Sequence, residues 1–153
     1  MKVFAFAATS GTELAAWTNG PEDPVHHFYA LSIAEYALNS MVDLMEQDLQ
    51  KKYKTGLLAR MLPASLQDWP IREQGNIFHL LGQGRQDIGL RLTPSRLMIP
   101  AHSVSGLIFA SKENFVSCQL CPLSRCTHRK KAFDPHVLGN TYGLETNCRK
   151  TSV

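Results

Sequence analysis

The stretch Leu31-Ser-Ile-Ala-Glu-Tyr-Ala-Leu-Asn-Ser-Met-Val-Asp-Leu-Met-Glu-Gln-Asp-Leu-Gln50 carries the clearest structural pattern of the chain. Its apolar residues recur at steps of three and four, and they are Ala34, Ala37, Leu38, Met41, Val42, Met45 and Leu49. This spacing predicts a long amphipathic helix that packs one stripe against a core. Glu35 lies at the edge of the stripe, where a carboxylate either is solvated or points into a polar pocket.

Around this helix, the apolar segments predict strands. Residues 3–8 predict a buried strand close to the first residue, so we expect a chain shortened at its N-terminus. Residues 90–93 and 104–110 predict two more strands, and 115–116 a further short one.

Between these strands, residues 56–70 have the composition of a loop that contains Arg60-Met-Leu-Pro63. Asp68 and Pro70 then introduce a second helix through Ile77 and Phe78, which ends near Gly82. Residues 9–12 are polar and predict a turn.

Size and composition narrow the class of protein. With 153 residues, 44% of them apolar and 19% charged, the chain fits a globular fold of ordinary size. No segment approaches the roughly 20 apolar residues of a membrane span, and no secretory leader is recognisable. We therefore expect a cytoplasmic protein with no membrane partner. No serine–histidine–aspartate or paired-carboxylate pattern indicates a hydrolase, and Gly82 and Gly84 lack the context of a phosphate loop.

All four cysteines follow residue 117, and three of them form Cys118-Gln-Leu-Cys121-Pro-Leu-Ser-Arg-Cys126. Thiolates are soft ligands, so the spacing predicts an iron–sulfur cluster or zinc; redox thiols, a disulfide and unligated cysteines are the alternatives. Cys148 is the predicted fourth ligand, with His128 and His136 as the other candidates. Spacing alone does not separate iron from zinc.

The same C-terminal segment is basic. Residues 118–153 hold six lysines and arginines against two carboxylates, a charge of +4. A basic, zinc-stapled segment could bind nucleic acid, but residues 118–136 lack interleaved aromatic side chains, so nucleic acid is the weaker expectation. We expect two parts, residues 1–117 and a loop-rich cysteine extension over 118–153.

The order of several short motifs resembles one family. Arg60-x-x-Pro63, Asp68-Trp69-Pro70, Ile77-Phe78-x-Leu80-Leu81, Ile88-Gly89-Leu90, Leu92-Thr93 and Met98-x-Pro100-x-x-Ser103-Val-Ser-Gly106 follow one another. This series resembles the activation domain of vitamin B12-dependent methionine synthase over roughly residues 1–117. The chain is more similar to short stand-alone relatives with a cysteine cluster near the end.

The resemblance implies an α+β fold with a twisted antiparallel sheet flanked by helices. It also implies S-adenosylmethionine binding next to a partner that carries cobalamin, in a methyltransferase system. Glu35 would match the helix carboxylate that meets the ligand, and Arg60 the guanidinium that binds the methionine carboxylate, with Pro63 in the same loop. The leading expectation is thus an accessory module that docks on a corrinoid protein and helps to reactivate it.

One departure from the family supports a second hypothesis. The family loop reads Arg-x-x-Pro-Gly-Tyr, whereas Ala64-Ser65 follows Pro63 here. Alanine at a position with positive φ would be strained, and the tyrosine ring is absent. The alternative is a non-catalytic metal- or iron–sulfur-binding protein that keeps the fold and has lost the S-adenosylmethionine site.

Overall fold

The computed structural model describes residues 2–66, 68–111, 115–121, 125 and 129–142. Its contacts divide the chain into two compact units, Met1–Asn114 and Phe115–Val153. In chain order the elements are β1 (Val3–Thr9), α1 (Gly11–Thr18), α2 (Pro24–Tyr53), β2 (Leu58–Met61), α3 (Gln74–Leu81), α4 (Gly84–Asp87), β3 (Arg91–Leu92), β4 (Met98–Ile99), β5 (Ser103–Ala110) and α5 (Pro135–Tyr142). None of the helices in the described chain is both long enough and apolar enough to cross a membrane.

The main sheet of the first unit is antiparallel and has the order β1-β5-β2. The central strand β5 places Gly106 opposite Phe6 of β1, and Leu107 opposite Met61 of β2. Strands β3 and β4 form a separate two-stranded sheet. The predicted class, an antiparallel sheet flanked by helices, is confirmed.

The long helix α2 forms because its N-terminal capping residues and its apolar stripe both favour a helix over this segment. The Asp23 carboxylate accepts hydrogen bonds from the backbone N–H groups of Val25 and His26, at 3.0 and 2.9 Å, and Pro24 occupies the first turn. Leu38 and Val42 pack with Phe6, Ala8 and Ile108 of the sheet to form the core. Because side chains alternate along a strand, this core occupies one face of the sheet.

Three local expectations were wrong. Residues 58–61 form strand β2 instead of loop, because pairing with β5 compensates for a segment with little apolar alternation. Of residues 9–12, predicted as a turn, Thr9 belongs to β1 and Gly11 and Thr12 begin helix α1, and residues 115–116 do not belong to a strand. The predicted strands at 3–8 and 104–110, and the helix that ends at Gly82, are confirmed.

The second unit contains the turn that carries Cys118 and Cys121, called the cysteine turn below. A short 3₁₀ turn spans Ser117–Gln119, and α5 follows in the same unit. The N-terminus of α5 is capped by Asp134, whose carboxylate accepts hydrogen bonds from the N–H groups of His136 and Val137 at 2.9 and 3.3 Å. The N–H of Asp134 in turn donates to the carbonyl oxygen of Gln119 at 2.9 Å, which ties the turn to the helix.

Candidate functional site

Arg60 lies on β2 with its side chain directed towards α2. Its guanidinium Nη1 is 3.2 Å from Oε1 of Glu46, and the two side chains are 20% and 26% exposed. An ion pair at this depth is screened less than a fully exposed one. The arginine that the sequence predicts to bind a ligand carboxylate is therefore already in contact with a carboxylate of its own chain.

The loop after Arg60 is a tight turn. The N–H of Ser65 donates to the carbonyl oxygen of Leu62 at 3.0 Å, and Ala64 has a φ of +66°. Proline at the second position and positive φ at the third define a type II turn, which normally places glycine where Ala64 stands. The Ser65 hydroxyl lies in hydrogen-bond contact with the backbone of Leu62 and reinforces this turn.

Gly106 connects this turn to the second motif that carries the resemblance. A Cβ atom on Gly106 would overlap the carbonyl oxygen of Met61 and lie 2.9 Å from a methyl carbon of Leu62. Only glycine therefore lets the central strand approach the end of β2 and the start of the turn. The two motifs, Arg60-x-x-Pro63 and Ser-Val-Ser-Gly106, meet at this contact.

Ser103 holds the other end of the central strand. Its hydroxyl oxygen is 2.8 Å from the Thr9 hydroxyl and 2.6 Å from the carbonyl oxygen of Pro100. Ser105, two residues along, is only 2% exposed, and its hydroxyl has no hydrogen-bond partner in the described chain. Ser103 therefore serves strand geometry, whereas Ser105 leaves a buried polar atom unsatisfied in the described chain.

Glu35 is half-buried on α2 and makes a polar or electrostatic interaction there. It lies eleven residues before Glu46, which is about three helical turns, so both carboxylates project from the same side of α2. The separation along the helix axis is roughly 16 Å. Arg60 and Pro63 are thus close together, while Glu35 lies at a different level of the helix from the guanidinium.

The sequence identifies Glu46 only as a polar position on α2, although it is the partner of Arg60. Its three-turn spacing from Glu35 is the signal that could have placed it on the same side of the helix. The contact itself joins residues of separate elements, and no local pattern contains it.

A family model matches residues 27–117, well over half of the chain, and its description is vitamin B12 dependent methionine synthase, activation domain. The chain belongs to this family. The match covers α2 from residue 27 onward, the Arg60–Pro63 turn and the central strand, and it ends just before Cys118. A search of curated proteins returned no match to the chain. Membership gives this activation-domain protein a role in the cobalamin-dependent methionine synthase system.

The first two predicted metal ligands lie on one turn. Cys118 and Cys121 are half-buried and free of disulfide bonds, and the N–H of Cys121 donates to the carbonyl oxygen of Cys118 at 3.3 Å. The Arg129 guanidinium donates to both cysteine carbonyl oxygens, at 3.1 and 3.3 Å. This fork fixes the backbone of the two cysteines relative to each other.

The remaining predicted ligands, Cys126 and Cys148, lie outside the described residues, as does His128. His136 is exposed on α5. Within the described residues, no group of three or more histidine, cysteine, aspartate or glutamate side chains is arranged to hold a metal ion. The four-cysteine site stays a prediction, and two thiols on one turn are compatible with half of such a ligand set.

A groove of the first unit lies elsewhere. It has a volume of about 350 Å³ and runs along the outer edge of β1, between α2 and α4. Apolar side chains of β1 and of Met45 and Leu49 on α2 line it together with Leu81 and Ile88, and Arg85 of α4 is its charged member. None of the predicted ligand residues contributes to this groove, so we place the candidate site at Arg60 and its turn on chemical grounds.

Proposed function

We propose that this protein is an accessory module of cobalamin-dependent methyl transfer, which docks on a corrinoid-carrying protein and supports its reactivation. The family membership supports the general role. The docking, the methyl donor and the redox centre are the parts that we add to it. The observation that carries the proposal is the Arg60–Glu46 pair beside the Pro63 turn.

That ion pair indicates how the activation-domain protein would bind S-adenosylmethionine. The guanidinium of Arg60 accommodates a carboxylate at 3.2 Å, and Glu46 stands where the carboxylate of the methionine moiety would bind. A bound ligand would take the place of Glu46, while Glu35 would meet the ligand further along the helix. When bound, S-adenosylmethionine supplies the methyl group that returns the corrinoid to its active form.

Isothermal titration calorimetry with S-adenosylmethionine tests this exchange. Arg60→Ala should abolish the binding of the methyl donor, because the cationic partner of its carboxylate is lost. Glu46→Gln should raise the affinity roughly fivefold, since it removes a competing ion pair worth up to about 1 kcal/mol. Arg72→Ala is the matched control, because Arg72 is an exposed arginine that contacts its neighbour Glu73. Equal heats for all four proteins would contradict this site.

We also propose that Cys118, Cys121, Cys126 and Cys148 hold an iron–sulfur cluster, with structural zinc as the alternative metal. A cluster would supply the single electron that the reduction of cob(II)alamin requires. Two observations support this proposal: Cys118 and Cys121 lie on the same turn, and the Arg129 guanidinium donates hydrogen bonds to the carbonyl oxygens of both. Iron, sulfide and zinc contents of protein purified without oxygen measure this directly, with Cys121→Ser expected to lose the metal.

A second candidate function has its own observation. Ala64 occupies the left-handed position of the turn, and the guanidinium of Arg60 is already paired with the carboxylate of Glu46. Both features are expected of a protein that keeps the fold without the methyl-donor site. Such a protein would be a non-catalytic metal- or iron–sulfur-binding member of the family. Metal in the purified protein together with no S-adenosylmethionine binding, even by Glu46→Gln, would favour this candidate.

A further inference from the structure

Helix α2 carries a second apolar stripe, on the side away from the core. Tyr29, Ile33, Tyr36 and Leu44 belong to it, and each is between 52% and 76% exposed. Their steps of four, three and eight residues keep them on one line along the helix, roughly opposite Leu38 and Val42 of the core. Large apolar side chains in such a row are unfavourable in water and are typical of a contact surface.

The ends of this stripe carry opposite charges. Glu22 precedes the helix at one end, and Lys51 lies on the line of the stripe at the other. Both are exposed, and neither has an ion pair within the described chain. The surface therefore has an acidic end, an apolar middle and a basic end.

We propose that the α2 stripe is the contact surface between two copies of this chain, with the two α2 helices packed antiparallel. In the register that places Tyr29 opposite Leu44 of the second copy, Ile33 faces Ser40, and Lys51 reaches the end of the helix that Glu22 precedes. The two-fold axis passes beside Tyr36, so its ring meets that of the second copy. Tyr29, Leu44 and Tyr36 then have apolar partners, and the approach of Lys51 to Glu22 occurs twice because of the two-fold symmetry.

A parallel arrangement would place like charges together. Lys51, Lys52 and Lys54 of both copies would lie at one end, which is repulsive. The helix of 30 residues is about 45 Å long, but one helix face is narrow, so the contact lies near the lower size limit of specific interfaces. We expect a weak dimer, with a dissociation constant on the order of micromolar.

Sedimentation velocity of the full chain over about 1–200 µM tests the proposal. We expect Glu22→Lys and Lys51→Glu each to weaken the dimer about tenfold, because each creates two like-charge contacts. The double variant, with both charges exchanged, should restore the original dissociation constant. Lys52→Glu, on a different side of the helix, should change it by less than about twofold. The three substituted positions, Glu22, Lys51 and Lys52, are exposed, so circular dichroism should show an unchanged fold.

Three results would overturn this surface. The first is a monomer at every concentration, and the second is a dimer that neither single charge reversal weakens. The third is a monomer in which Ile33→Asp lowers binding to a purified corrinoid-carrying protein, which would assign the stripe to that partner instead. Because none of these variants touches Arg60 or the cysteines, their outcome is independent of the methyl-donor and metal sites.

Discussion

Replacing Ala64 with glycine should stabilise the protein, because Ala64 has a φ of +66° at the third position of the Pro63 turn. A residue with a Cβ in this conformation costs about 1–2 kcal/mol relative to glycine. Glycine also gains freedom in the unfolded chain, which offsets about 0.4–1 kcal/mol of this gain. The expected net stabilisation is about 0.5–1 kcal/mol.

A matched substitution separates the two contributions. Ala101 is also an exposed loop alanine, but it does not have positive φ, so Ala101→Gly should show only the loss from the unfolded chain. We expect this control to be destabilised by about 0.4–1 kcal/mol. The difference between the two variants, about 1–2 kcal/mol, then measures the cost of the left-handed conformation itself.

Urea and thermal denaturation of the two variants and the original protein provide these values. The Ala64→Gly midpoint should rise by about 1–4 °C, given the usual scaling for a chain of this length. If Ala64→Gly is destabilised as much as Ala101→Gly, then Ala64 is not in the left-handed conformation. The interpretation of the loop as a type II turn would then be wrong.

Three further substitutions test the packing and the cysteine turn. Gly106→Ala should destabilise the protein by about 1–3 kcal/mol in urea denaturation, because its Cβ would press on the Met61 carbonyl group; an unchanged midpoint would refute that contact. Ser105→Ala should be neutral or stabilise by up to about 1 kcal/mol, since the buried hydroxyl has no partner in the described chain, and a loss above that size would reveal one. Arg129→Ala should lower metal affinity about 10- to 100-fold by competition with a chelator, with exposed Lys130→Ala as the control; equal affinities would show that the Arg129 fork does not support the site.

Much of the fold was predictable from periodicity. The α2 stripe, the strand at residues 3–8 and the strand at 104–110 each combine a regular apolar pattern with a suitable length. Strand β2 was not predictable, because four residues that include Arg60 form too short a pattern to separate from a loop. Its conformation depends on the edge that β5 offers, which is remote in sequence.

The residues of the candidate site were likewise only partly predictable from the sequence. The sequence identified Arg60, Pro63 and Glu35 through their motifs, and it indicated that alanine after the proline would be strained if φ there were positive. It did not indicate Glu46 as the partner of Arg60, since that contact joins α2 to β2. The role of Gly106 beside Met61 likewise required the approach of two strands.

By itself, the sequence determined helix α2 and strands β1 and β5, the family membership over residues 27–117 and the grouping of the cysteines. These are encoded in local spacing, because neighbouring residues set helical and strand periodicity and the order of motifs. Only the tertiary structure decided that Arg60 meets Glu46, that Ala64 is left-handed and that a second apolar stripe of α2 faces solvent. Those features depend on distances between elements, which chain folding sets and residue spacing does not.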